Sequence, residues 1–194
     1  MIDSSGKFKL KFDPSCIPSL ARQYMMTGKG AEKDAAMAAA GQCIVGGQRT
    51  RANLAIIYRW KSARSIRHLC RNEDADIDRC LLQAVQARDD DRAAITALVR
   101  IPALRSGLHG FQIPVASAVL TALFPKLFTV IDYKALGSLG FPQASPGVDF
   151  YLEYLCACRH ISEENKTCLR TLDRALWQWW TNQEAAEKQA RKGR

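Results

Sequence analysis

Asp132 is the residue whose type and setting most invite chemistry in this chain. It closes the short apolar run Phe128 to Ile131 and stands directly before Tyr133 to Leu139, a stretch that reads as a helix which Asp132 would cap. A carboxylate held there can stabilise a developing positive charge or activate water. The histidines offer no comparable chemistry. His68 and His160 read as ordinary helix residues, His109 lies in a turn, and no acidic pair stands at ligand spacing, so no transition-metal site is expected. The seven cysteines are an odd number at irregular intervals and read as buried, reduced thiols.

A second chemical feature is segregated charge. The 194 residues carry 28 Lys and Arg against 19 Asp and Glu, a net charge of +9. From Arg49 to Arg71 there are seven basic residues and no acidic one, whereas Asn72 to Arg92 holds seven acids against three Arg. Segregation of this kind favours a polyanionic partner; the alternative is two neighbouring helices that pair their charges. If Thr50 to Arg71 is one long helix, then Trp60, Lys61, Arg64, Arg67 and Arg71 share about a third of its circumference, and Ala63, Ile66, Leu69 and Cys70 face the other way. A cationic face with one aromatic ring suits a phosphate backbone.

Helices must position these residues. The periodicity predicts them at Ile17–Met26, Ala31–Gln42, Thr50–Arg71, Asp76–Ala87, Arg92–Arg100, Val148–His160 and Leu169 to about Gln189. Between them, a turn at Gly110 hands over to a helix over 114–124, with Pro114 in its first turn, where proline costs no hydrogen bond. A hydrophobic fraction of 47% and a charged fraction of 24% are globular values, and the length suits a single domain over 1–194. The arm 1–12, which alternates polar and apolar residues, and the charged tail 184–194 are expected to be flexible. No apolar run is long enough for a membrane span and Met1–Gly6 lacks a signal-peptide core, so a cytoplasmic monomer is expected.

The pattern Leu108-His109-Gly110-Phe111-Gln112-Ile113-Pro114-Val115-Ala116, followed by Ile131-Asp132, resembles that of the helix-hairpin-helix DNA glycosylases, the superfamily of endonuclease III, adenine glycosylase and 8-oxoguanine glycosylase. The 18 residues from Pro114 to Asp132 match, without gaps, the interval from the lysine of bifunctional members to the family aspartate. The tail segment Arg170 to Trp179 also looks like those of uncharacterised bacterial members. The resemblance implies an all-α, glycosylase-like fold with the hairpin at about 104–124, acting on double-stranded DNA at the nucleoid. It implies that Asp132 is catalytic and that His109, Gly110, Gln112, Pro114, Val115 and Ala116 meet a DNA phosphate, with room for a monovalent cation. Lys61, Arg64, Arg67 and Arg71 would extend that contact. Trp60, Ser62 and Lys134 would wall the pocket for a flipped base.

Two departures shape the expected activity. Gln112 replaces the second hairpin glycine, and Pro114 replaces the lysine that forms a Schiff base, so no imine can form at position 114. Cys156, Cys158 and Cys168 offer too few sulfurs, at the wrong spacing, for the family's iron–sulfur cluster. The expectation is a monofunctional glycosylase that removes a modified base by hydrolysis. The alternative is a non-catalytic DNA-binding module on the same fold.

Overall fold

The computed structural model describes residues 7–27, 29–63, 66–99, 107–110, 112–142 and 146–192, and among them the chain is helical without a strand. Asp13 accepts the Ser15 amide at 2.8 Å and starts a 3₁₀ turn, Pro14–Cys16, which leads into α1 (Ile17–Met26). α2 (Lys29–Val45) runs to the Gly46-Gly47 pair. Thr50 caps α3 (Arg51–Ser62) through the Asn53 amide, and Asp90 caps α6 (Asp91–Leu98) through that of Ala93. Short polar side chains at these positions satisfy amides that the first turn leaves without partners. α4 (Ile66–Leu69), α5 (Asp74–Gln86), α7 (Ile113–Leu123), α8 (Tyr133–Ser138), α9 (Val148–Glu164) and α10 (Leu169–Lys192) complete the order.

α7 is the centre of the molecule. Every residue in it except Pro114 is buried, and a helix apolar on all sides belongs inside a core. α2, α3 and α6 pack around it, and α10 joins α1, α8 and α9 on the far side of the core. The approach of α2 to α7 depends on Gly41: a Cβ there would lie 2.0 Å from the Ala122 carbonyl oxygen.

The basic stretch is not one helix. In a continuous helix Leu69 would stand about 27 Å along the axis from Arg51, at 1.5 Å per residue. Instead Arg51 donates to the carbonyls of Leu69 (2.7 Å) and Asn72 (2.5 Å), so the chain folds back after α3 and α4 ends beside the start of α3. The expected faces dissolve accordingly: Leu69 is buried, but Ala63 and Cys70 are exposed. Charge pairing with the acidic stretch is real at one end, where Arg49 meets Asp78 and Arg51 meets Asp74, each at 2.8 Å.

Other expectations are corrected too. Over Lys7–Phe12 the arm is docked: the Lys9 and Lys11 amides donate to the carbonyls of Leu139 and Ser138, and Phe8 is buried against Phe141, Phe150 and Tyr154; its residues 1–6 lie outside the described residues. Burial of one large ring is worth about 2 kcal/mol, and it adds to the two backbone hydrogen bonds in holding the segment. The tail remains helical to Lys192, although its last turns are exposed. No cysteine is paired; Cys80 and Cys158 are buried, whereas Cys16, Cys70, Cys156 and Cys168 are exposed. No described helix is long and apolar enough to cross a membrane.

Gly41 sets two effects against each other. Helix propensity favours Gly41→Ala by about 1 kcal/mol, but the clash with a backbone carbonyl forces α2 from α7 and costs about 1–3 kcal/mol. The clash should win, so urea denaturation should show a lower midpoint for Gly41→Ala. An equal or higher midpoint would mean that the two helices separate freely.

Candidate active site

The site begins with the extended segment before α8. Phe128, Thr129, Val130 and Ile131 are all buried, and their backbone is held from two sides. Tyr151 and Tyr154 of α9 donate to the carbonyls of Thr129 (3.2 Å) and Val130 (2.8 Å), while the Ile131 amide donates to Ser117 Oγ of α7 (3.1 Å). These bonds deliver Asp132 at a fixed place and direction. One carboxylate oxygen accepts the amides of Lys134 (3.1 Å) and Ala135 (3.0 Å), which makes Asp132 the cap of α8, as expected from the sequence. The other accepts Lys61 Nζ at 2.8 Å.

Lys61 and Asp132 are 10% and 20% exposed, so this is a largely buried ion pair. Burial pushes the Asp132 carboxyl up, but the Lys61 ammonium and the two amides outweigh burial and leave it below the ordinary carboxylate range. Asp132 is therefore ionised at neutral pH. Lys61 turns inward and is not part of an exposed cationic face.

Lys61 and Asp132 line a cavity of ≈ 550 Å³ that is bordered by the Trp60 and Trp177 indoles and by Tyr24. Beside it lies a second acidic centre. Asp34 of α2, 4% exposed, accepts Tyr24 Oη (3.1 Å), Trp60 Nε1 (2.8 Å), Arg174 Nε (2.9 Å) and, as an ion pair, Arg170 Nη2 (2.7 Å). Arg170 also pairs with Asp173 and covers the Trp60 ring, its guanidinium 5.0 Å from the centroid. Asp173 lines the cavity, and burial pushes its carboxyl up to about 6 against the lowering pull of Arg170, with Asp132 adding to the rise.

The structure divides the residues singled out from the sequence into several groups. Trp60, Lys61 and Asp132 come together at the cavity; Ser62 does not line it. Lys134 points away, to Thr181 (2.9 Å) and Glu184 (3.0 Å), with its ammonium over the Trp177 ring. The hairpin turn packs against α4: Asn72 accepts the His109 amide at 2.5 Å and donates to the His109 carbonyl. Gly110 has φ +82 and would clash with His68 if it carried a Cβ, so glycine is required twice over. Gln112 is exposed and Pro114 half-buried, but Val115 and Ala116 are buried and their amides are bonded to the Gln112 carbonyl (3.0 Å each). Those two amides are satisfied within the chain rather than held out for a phosphate. Arg67 and Arg71 are exposed, and Arg64 lies outside the described residues.

Asp34, Arg170, Asp173, Arg174 and Trp177 were not singled out as site residues. A signal existed: 170, 173, 174 and 177 share one face at helical spacing, beside the apolar stripe of Leu169, Leu172 and Leu176. Comparison of the chain with protein-family models, with curated proteins and with solved structures finds no match.

Replacing Lys61 tests the electrostatics. In Lys61→Met, burial of Asp132 is opposed by two amides alone, so its carboxyl should rise. A depressed carboxyl adds stability above its unfolded value, and that stability is lost as pH falls through the folded value. The variant should therefore lose about 2 kcal/mol at neutral pH, less than the roughly 3–5 kcal/mol of a fully buried pair, because the amides remain. Its acid unfolding should also begin at higher pH. Urea midpoints measured across pH 3–7 would check both, and coincident curves for the two proteins would show that Lys61 does not hold the charge.

Proposed function

We propose that this chain is a DNA glycosylase of the helix-hairpin-helix type that removes a modified base from double-stranded DNA by hydrolysis of the N-glycosidic bond. The observation that carries the reading is an ionised Asp132 fixed in the wall of a cavity bordered by indoles. Breaking the bond builds positive charge on the sugar, and an oriented carboxylate stabilises that charge without having to reorganise. The cavity falls in the size range of ligand pockets, and a flipped base could lie between its aromatic borders. The 18-residue interval from Pro114 to Asp132 supports the same reading.

The DNA-facing surface in this proposal is the hairpin turn together with α4. His109, Gly110 and Gln112 lie on a turn that Asn72 ties to α4, which places the exposed Arg67 and Arg71 beside it. Phosphate contacts from these residues would position the duplex, and chemistry would occur at Asp132.

Lys61 favours a second course. Its amine stands 2.8 Å from Asp132, so it could attack the sugar C1′ in place of water and supply the imine that Pro114 cannot. Borohydride treatment on abasic DNA separates the courses: an adduct mapped to Lys61 supports the amine, and its absence supports water.

Asp132→Asn keeps the capping oxygen and removes the charge. Base release should fall on the order of 10²-fold or more and DNA binding should survive, while the melting temperature drops about as far as in Lys61→Met, because the Lys61 ammonium loses its partner. Full excision by this variant would contradict the mechanism, and duplex binding without any base release by the unaltered protein would favour a binding module.

The surface arginines give an independent prediction. Arg67→Glu with Arg71→Glu should weaken duplex binding and flatten its dependence on salt by about two phosphate contacts, whereas Lys61→Met should leave the slope unchanged. A slope that responds to Lys61 alone would place the DNA elsewhere.

A further inference from the structure

The three carboxylates around the cavity receive hydrogen-bond donors very unequally. Asp34 has three, Tyr24, Trp60 and Arg174, and an ion pair with Arg170 besides. Asp132 has three: Lys61 and the amides of Lys134 and Ala135. Among the described residues Asp173 receives one, Arg170, which it shares with Asp34. Asp173 is 6% exposed, yet it lines the same cavity as Asp132. A buried carboxyl with so little support is the one that takes up a proton, since burial penalises the charged form.

We propose that Asp173 is the general acid that protonates the departing base while Asp132 stabilises the sugar, an assignment that rests on the glycosylase reading above. As the C1′–N bond breaks, its electron pair goes to the base. The Asp173 hydroxyl gives its proton to that base, and the sugar is left as a cation facing Asp132. Water then adds to C1′ and releases a proton to solvent, from which Asp173 is restored. The sum is one water consumed, one free base and one abasic sugar. Two carboxyl groups in one cavity, with their proton affinities pushed apart, divide acid from charge stabiliser.

The surroundings of Asp173 agree with this division. Arg170 of α10 and Lys61 of α3 favour its charged form. Asp132 before α8 and Asp34 of α2 oppose it, and Tyr24 of α1 and Tyr151, Tyr154 and Cys158 of α9 lie close enough to feel its charge. The net effect puts its titration at about 6 and keeps Asp132 below the ordinary range, so both working forms coexist near pH 6.

The test is single-turnover base release from duplexes carrying uracil, hypoxanthine, 8-oxoguanine or 1,N6-ethenoadenine, followed from acid to alkaline pH. The rate should fall tenfold per pH unit above about pH 6, as the acid form of Asp173 is depleted. Asp173→Asn should lose that limb and be slower by about 10²-fold or more, while Asp132→Asn keeps the limb at a reduced rate. Because Asp173→Asn disturbs a buried ion pair, infrared titration of the unaltered protein provides a second measurement: the Asp173 band should be protonated well above the ordinary carboxylate range. Base release with a flat profile, or an Asp173 ionised throughout, would overturn the acid and leave the glycosylase reading standing. No release from any of the four duplexes would overturn both.

Discussion

A carboxylate stays charged away from water only if donors are brought to it, and the region around Asp132 is built to bring them. Two amides come from the first turn of α8 and one ammonium comes from α3, 71 residues earlier in the chain. None of this works unless the segment before Asp132 is immobile. Its immobility comes from the core: Ser117 of the buried α7 and two tyrosines of α9 hold the backbone of residues 129–131. Packing and electrostatics are therefore one arrangement here. α7 holds the segment, the segment aims the carboxylate, and Lys61 keeps it ionised.

The same constraint sorts the charges of the molecule. Arg51, Lys61, Arg170 and Arg174 turn inward or along the surface to meet carboxylates or carbonyls, and each does a structural or local electrostatic task. Arg67 and Arg71 remain exposed beside the hairpin turn. Arg51, Lys61, Arg170 and Arg174 are matched by Asp74, Asp132, Asp34 and Asp173, so the pairs are close to neutral and the net charge of +9 is carried by the rest of the chain. Asn72 and Gly110 lock the turn to α4, the helix that carries Arg67. Positions that read as one cationic helix face divide: Lys61 enters the cavity wall, whereas Arg67 and Arg71 stay exposed.

Local signals were legible in the sequence. Asp132 as a cap, Thr50 as a helix start, a helix beginning at about Pro114 and most helix bounds follow from side-chain chemistry within a few residues. What the sequence concealed is whatever depends on distant partners. The break after Ser62 reflects Arg51 reaching Leu69 and Asn72, and a helical wheel drawn through the break paired residues that never share a face. The docked Lys7–Phe12 segment takes its place from rings of Phe141, Phe150 and Tyr154, far along the chain. Asp34 sits in an alanine-rich helix with nothing nearby to mark it, yet it collects three hydrogen-bond donors from α1, α3 and α10 and an ion pair with Arg170.

The central claim is that Asp132 stabilises a cationic sugar, and it can be tested without knowing which base is removed. A duplex bearing a pyrrolidine in place of one nucleotide carries a positive charge where the sugar cation would form, and a tetrahydrofuran carries the same ring without charge. Transition-state mimics bind more tightly than neutral analogues when a site is built for the developing charge. Dissociation constants for the two duplexes should differ by about 10²-fold in favour of pyrrolidine, and Asp132→Asn should abolish the difference. Equal affinity for the two duplexes in the unaltered protein would contradict the account.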